Sequence, residues 1–164
     1  MNMQDPKTIE RDRMRFTKDK KAANLILLAI VFDCLYFVSL YSTDVGSYYY
    51  TWSIGASIVY NLLFLLTAFL ASEGVKNRKT GYTGMLIGIG AMQLVRIFYL
   101  PAKARAAVVV VSGAEVVAMS NGQFMYISVC LVLSAVCCVL GAFISHTNNK
   151  NLAEHMRLLE KQSA

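Results

Sequence analysis

Charge is scarce in this 164-residue chain: Asp, Glu, Lys and Arg together make up 16% of it, while hydrophobic residues reach 56%. Soluble domains carry roughly 25% charged and about 45–50% apolar residues, so this balance needs a solvent other than water. The shortage is also uneven. Charge is nearly missing from four long windows and crowded between them, the segregation that marks membrane spans.

Other absences remove whole classes of chemistry. The two histidines, His146 and His155, both lie near the C-terminal end, so no pair of imidazoles at span depth is available to ligate a haem. The four cysteines, Cys34, Cys130, Cys137 and Cys138, all fall in apolar windows and form no C-x-x-C. This argues against a redox pair or an exported disulfide framework, and for small apolar packing residues. Spaced His and carboxylate ligands for zinc are missing. So are a Gly-rich phosphate loop, G-x-S-x-G and H-E-x-x-H. The expectation is a protein that is not an enzyme and uses no metal and no cofactor.

What is present is an alternation of apolar windows and basic connections. Spans are expected at about 22–42, 51–72, 81–101 and 124–145, making a transmembrane domain over 22–145 with a loop at 102–123. At 1.5 Å per residue, about 20 residues cross a hydrocarbon core of ~30 Å. The first window is longer than a signal-peptide core and no clear A-x-A site follows it, so it reads as an uncleaved span. Residues 1–21 form a basic arm in which Asp5-Pro6 looks like an N-cap and first helical position, predicting a short helix from about Pro6 to Phe16. Residues 146–164 form a polar tail. Within it, Leu152, Met156 and Leu159 share one face of a predicted amphipathic helix over Asn149–Lys161.

Seven of the sixteen Lys and Arg residues precede residue 22, which explains the formal charge of +6 without invoking nucleic acid as a partner. The first connection holds no Lys or Arg, the second three (Lys76, Arg78, Lys79), the third two (Lys103, Arg105) and the tail three. Placing both ends inside puts thirteen of these on the cytoplasmic face and two outside, as the positive-inside rule requires. The expected fold is therefore an all-α membrane protein of the cell membrane, a four-transmembrane-helix bundle with N-in/C-in topology. The 102–123 loop carries two β-branched runs around Ser112-Gly113, which suggest an external β-hairpin. Such an apolar hairpin either adds a strand to a partner or caps the protein's own outer face; both readings stay open.

Three groups of residues stand out. Tyr48, Tyr49, Tyr50 and Trp52 cluster at a span boundary, where amphipathic rings anchor in the headgroup layer. Gly84, Gly88 and Ala91 share a face of the third span, which lets another helix approach closely. Two charges lie inside spans: Asp33 near the middle of the first and Arg96 in the outer half of the third. A charge at a span centre costs about 2.5–3.5 kcal/mol on insertion scales, so such residues face the bundle interior and pair. The depth gap between them is about four residues, roughly 6 Å, which an Arg side chain can close. An Asp33–Arg96 contact is expected if the first and third spans are neighbours, with Gln93, one turn from Arg96, completing the network. It is read as a register-fixing ion pair, as a link to another subunit, or as a proton- or cation-coupled transport site at Asp33.

These features predict a non-enzymatic small membrane subunit or accessory protein of a larger complex, with transport as one role for that complex, whose partners are the lipid bilayer and either other membrane subunits or itself. The rival is a small self-associating proton- or cation-coupled transporter. In architecture the chain resembles the small multidrug-resistance transporters: short-looped spans with one acid, Asp33, in the first. It departs from them in its length, its outer loop and the presence of Arg96.

Overall fold

The computed structural model of the chain describes residues 6–42, 51–111 and 114–163. Its helices are α1 (Pro6–Phe16), α2 (Lys20–Tyr41), α3 (Thr51–Lys76), α4 (Gly81–Ala106) and α5 (Asn121–Ser163). The last four are long and apolar enough to cross a membrane, and the chain is a multi-pass membrane protein. Between α4 and α5, strands β1 (Val108–Val111) and β2 (Ala114–Val117) pair antiparallel, Val108 opposite Val117 and Val111 opposite Ala114.

The start of α2 and the end of α3 each have a local cause. The Asp19 side chain caps α2 by accepting from Ala22 N at 3.3 Å, so this helix starts two residues before the expected apolar boundary. At the far end of α3, Lys79 N donates to Gly74 O at 3.0 Å and Arg78 N to Val75 O at 2.9 Å, with Arg78 at φ 58°. This is a Schellman closure with arginine in the left-handed position that glycine usually takes. The expected stop at Pro101 does not occur: α4 runs through Pro101 to Ala106. Proline removes one N–H from the ladder, but Leu100, Pro101 and Ala104 are all buried, and that packing holds the turn helical.

The largest correction concerns the tail. No separate helix begins near Asn149; α5 is one helix of 43 residues. After Gly141 there is neither Gly nor Pro to break it. Its length is about 65 Å at 1.5 Å rise per residue, twice a ~30 Å hydrocarbon core. The excess carries α1 at its side: His155 Nε2 lies 2.6 Å from Asp12 Oδ1. Leu152 and Leu159 on this stretch are half-buried.

The spanning helices pack as sequence neighbours around a ring: α2 on α3, α3 on α4, α4 on α5 and α5 on α2. Asp19 N to Lys76 O (3.0 Å), Ser134 Oγ to Ala29 O (3.0 Å) and Gln123 Nε2 to Ser39 O (3.0 Å) show that α2 runs antiparallel to α3 and to α5. The apolar interior is split in two. One cluster, with Ile26, Phe64, Ala68, Leu86 and Cys138, lies toward the termini. The other, with Tyr36, Leu40, Leu100, Ile127 and Leu131, lies toward the β1–β2 hairpin, and Met119 joins it. Cys130, Cys137 and Cys138 are buried, whereas Cys34 is exposed.

Candidate functional site: a polar layer across the bundle

Between the two apolar clusters lies a polar layer to which every span contributes. Asp33 comes from α2, Asn61 from α3, Gln93 and Arg96 from α4, and Ser134 from α5. Arg96 Nη1 donates to Asp33 Oδ1 at 2.8 Å and its Nη2 to Asn61 Oδ1 at 2.6 Å. Gln93 Nε2 donates to the same Asp33 oxygen at 2.8 Å and to Ser134 Oγ at 3.3 Å, while its Oε1 accepts from Arg96 Nη1 at 3.4 Å. Ser134 in turn donates to the Ala29 carbonyl at 3.0 Å. The guanidinium sits between two rings, 4.3 Å from the centre of Tyr36 and 4.9 Å from that of Tyr60, an arrangement that adds cation–π attraction on a desolvated charge.

The Asp33–Arg96 contact forms without the condition attached to it, that the first and third spans be neighbours. α2 and α4 stand diagonally, each flanked by α3 and α5. The contact forms because both side chains point to the bundle axis and meet there, in place of any helix–helix seam. The side chains of Asp33 and Arg96 are 0% and 4% exposed. Burying two charges costs several kcal/mol each, and their attraction repays this only with good geometry and further hydrogen bonds. Asn61, Gln93 and Ser134 supply those bonds. Asp33 Oδ2, Arg96 Nε and the Tyr36 hydroxyl remain buried without a hydrogen-bond partner among the described residues.

Beside this layer, α3 and α4 separate around a cavity of about 270 Å³ lined by Ser57, Tyr60, Met92, Val95, Arg96 and Tyr99. Ser57 Oγ lies behind its wall, buried and unpartnered among the described residues. No cluster of three His, Cys, Asp or Glu residues that could hold a metal ion occurs among the described residues.

The small-residue face of α4 is used differently from the way spacing suggests. An added methyl at Gly84 or Gly88 would meet nothing within 4 Å, and Ala91 is exposed. The glycines that admit a neighbour are elsewhere. A Cβ added at Gly90 would lie 3.4 Å from Ala135 O and Cys138 Cβ of α5, and one added at Gly141 would lie 3.1 Å from Ile26 Cγ1 of α2. Trp52 is 70% exposed at the start of α3; Tyr48, Tyr49 and Tyr50 lie outside the described residues.

Sequence reasoning passed over Asn61, Ser134, Tyr36 and Tyr60 as partners of the buried pair. Asn61 carried a usable signal: an amide in an otherwise uncharged apolar window faces the same cost in lipid as Asp33, on a smaller scale. Ser134, Tyr36 and Tyr60 carried none, since serine and tyrosine are ordinary at span interiors and boundaries. The assembly defines a class, the polytopic membrane protein whose four apolar helices enclose a buried polar layer. Compared with family models, curated proteins and solved structures, the chain matches none.

Proposed function

We propose that this chain is a non-enzymatic small subunit or accessory protein of a larger complex in the cell membrane. In this reading both ends are cytoplasmic, the β1–β2 hairpin is external, and α4 docks a helix of another membrane protein. The observation that carries it is the bare Gly84/Gly88/Ala91 face of α4, which nothing among the described residues covers. Small residues at a lipid-facing surface leave the backbone open to close helix contact, the main source of association where lipid and protein are equally apolar. The exposed apolar side chains of Val108, Val110 and Val117 on the hairpin support the same reading. The sealed surroundings of Asp33 favour a structural ion pair over a coupling site, because an ion or proton carrier needs alternating access to water.

Affinity purification in a mild detergent, followed by mass spectrometry, tests the proposal. Unrelated membrane subunits should co-purify in fixed stoichiometry, and Gly84→Ile with Gly88→Ile should release them while leaving helix content unchanged. A clean homodimer with pH-dependent ligand binding would overturn the subunit reading in favour of a transporter. For topology, single cysteines introduced into a cysteine-free background at Ser120 and Lys161 should react with an impermeant maleimide from outside and only after lysis, respectively.

A further inference from the structure

The bundle has a second built feature at the end where the termini lie. There α2 and α3 enclose a cleft of about 250 Å³. The rim is tied by a backbone bond from Asp19 N to Lys76 O (3.0 Å), and the floor by Ser72 Oγ donating to Ala23 O (3.1 Å). Lys20 and the exposed Asn24 stand on the α2 side, Glu73 and Lys76 on the α3 side. Lys76 Nζ bonds Glu73 Oε1 at 2.7 Å. Among the residues that line the cleft, two ammonium groups face one carboxylate, which leaves one positive charge in excess; the Asp19 carboxylate at the rim is buried and accepts from Ala22 N and Asn148 Nδ2.

The same faces turn apolar with depth. On α2, Lys20, Asn24, Leu27 and Val31 follow each other at one-turn spacing. On α3, going the opposite way, Lys76 and Glu73 lead to Phe69. Leu27, Val31 and Phe69 are 42%, 52% and 54% exposed, on the lipid-facing surface. Lys20 opens α2 and Lys76 closes α3, so both ammonium groups sit where apolar windows meet polar connections, at headgroup level. A ligand suited to this site is singly negative at its head, carries hydrogen-bonding oxygens for Asn24 and the lysines, and continues into hydrocarbon.

We infer that the α2–α3 cleft binds one monoanionic diacyl phospholipid, its phosphate between Lys20 and Lys76 and an acyl chain along Leu27, Val31 and Phe69. The charge excess matches one phosphodiester, and the apolar track distinguishes a lipid from a soluble phosphate ester.

The probes are phosphatidylglycerol and phosphatidylcholine, offered in equal amounts to the full chain in detergent micelles, with bound lipid counted by native mass spectrometry. Wild type should retain phosphatidylglycerol at least about five-fold over phosphatidylcholine, as expected for one lysine near a headgroup. Lys20→Gln should lower that retention by about five-fold, and Glu73→Gln, which frees the Lys76 ammonium, should raise it by a similar factor. A rise on removing a salt bridge is a result that a purely structural role for Glu73 would not give. Lys150→Gln and Lys161→Gln, on the α5 tail, should change nothing, and circular dichroism should show unchanged helix content throughout. Equal retention of the two lipids, a Lys20→Gln effect no larger than that of the tail variants, or displacement of the lipid by soluble glycerophosphoglycerol would overturn the inference.

Discussion

Arg96 and Asp33 belong to helices that do not pack on one another, yet their side chains meet at 2.8 Å on the axis of the bundle. The pair is thus a cross-brace between diagonal helices, held by hydrogen bonds from side chains of the other spans. Gln93 bonds both partners, Asn61 takes the second guanidinium nitrogen and Ser134 fixes Gln93 to α5.

Breaking the brace on one side should be far worse than removing it. Asp33→Ala leaves a buried guanidinium unpaired and should destabilise the protein by about 3–5 kcal/mol, as should Arg96→Ala. The double replacement Asp33→Leu with Arg96→Met should recover most of that loss, because two apolar side chains incur no desolvation penalty. Unfolding by dodecyl sulfate titration in mixed micelles measures all three. Strictly additive losses in the double variant would show that the two residues do not act on each other.

The supporting residues should rank below the pair. Asn61→Ala removes a 2.6 Å bond to a charged donor and should cost about 1–2 kcal/mol. Ser134→Ala, which loses its bonds to Gln93 and the Ala29 carbonyl, should cost roughly 0.5–1 kcal/mol. The same titration reads both, and a Ser134→Ala effect larger than that of Asn61→Ala would contradict the layer as described.

Glycines of similar appearance in the sequence should respond in opposite ways. A methyl at Gly74 would press into the Tyr82 ring, so Gly74→Ala should lower stability by roughly 1–3 kcal/mol through overpacking. Gly84→Ala and Gly88→Ala add a methyl in open space and should stay within about 0.5 kcal/mol of wild type. Thermal unfolding of the purified variants in detergent distinguishes them.

The α1 helix is held to the projecting end of α5 by the contact between buried His155 and Asp12. Removing either side chain should free α1 and speed trypsin cleavage at Arg11, Arg13 and Arg15. Asp12→Ala, His155→Ala and their combination should accelerate cleavage equally, since each removes the same link. An additive effect in the double variant would mean that the two residues hold α1 independently.

The linear pattern of this chain was enough to establish its solvent and its spans. Windows empty of charge can be satisfied in hydrocarbon only by helices that bond their own backbone, and that follows from composition and length alone. The isolated charges at Asp33 and Arg96 were also conspicuous, because their cost in lipid does not depend on what surrounds them. The route by which they meet was not legible. Sequence spacing gives depth along a helix but not the order of helices around a bundle, so a diagonal contact and a neighbouring one look alike. Nor could spacing say which small residues are used. Gly84 and Gly88 fit a packing pattern but face away from the bundle, while Gly90 and Gly141 lie outside that pattern and admit α5 and Ile26. Tertiary structure decided these points because the rotation of each helix about its own axis is set jointly by all the side chains it buries. The polar layer, drawn from four separate spans, is the term in that joint optimum that no single span contains.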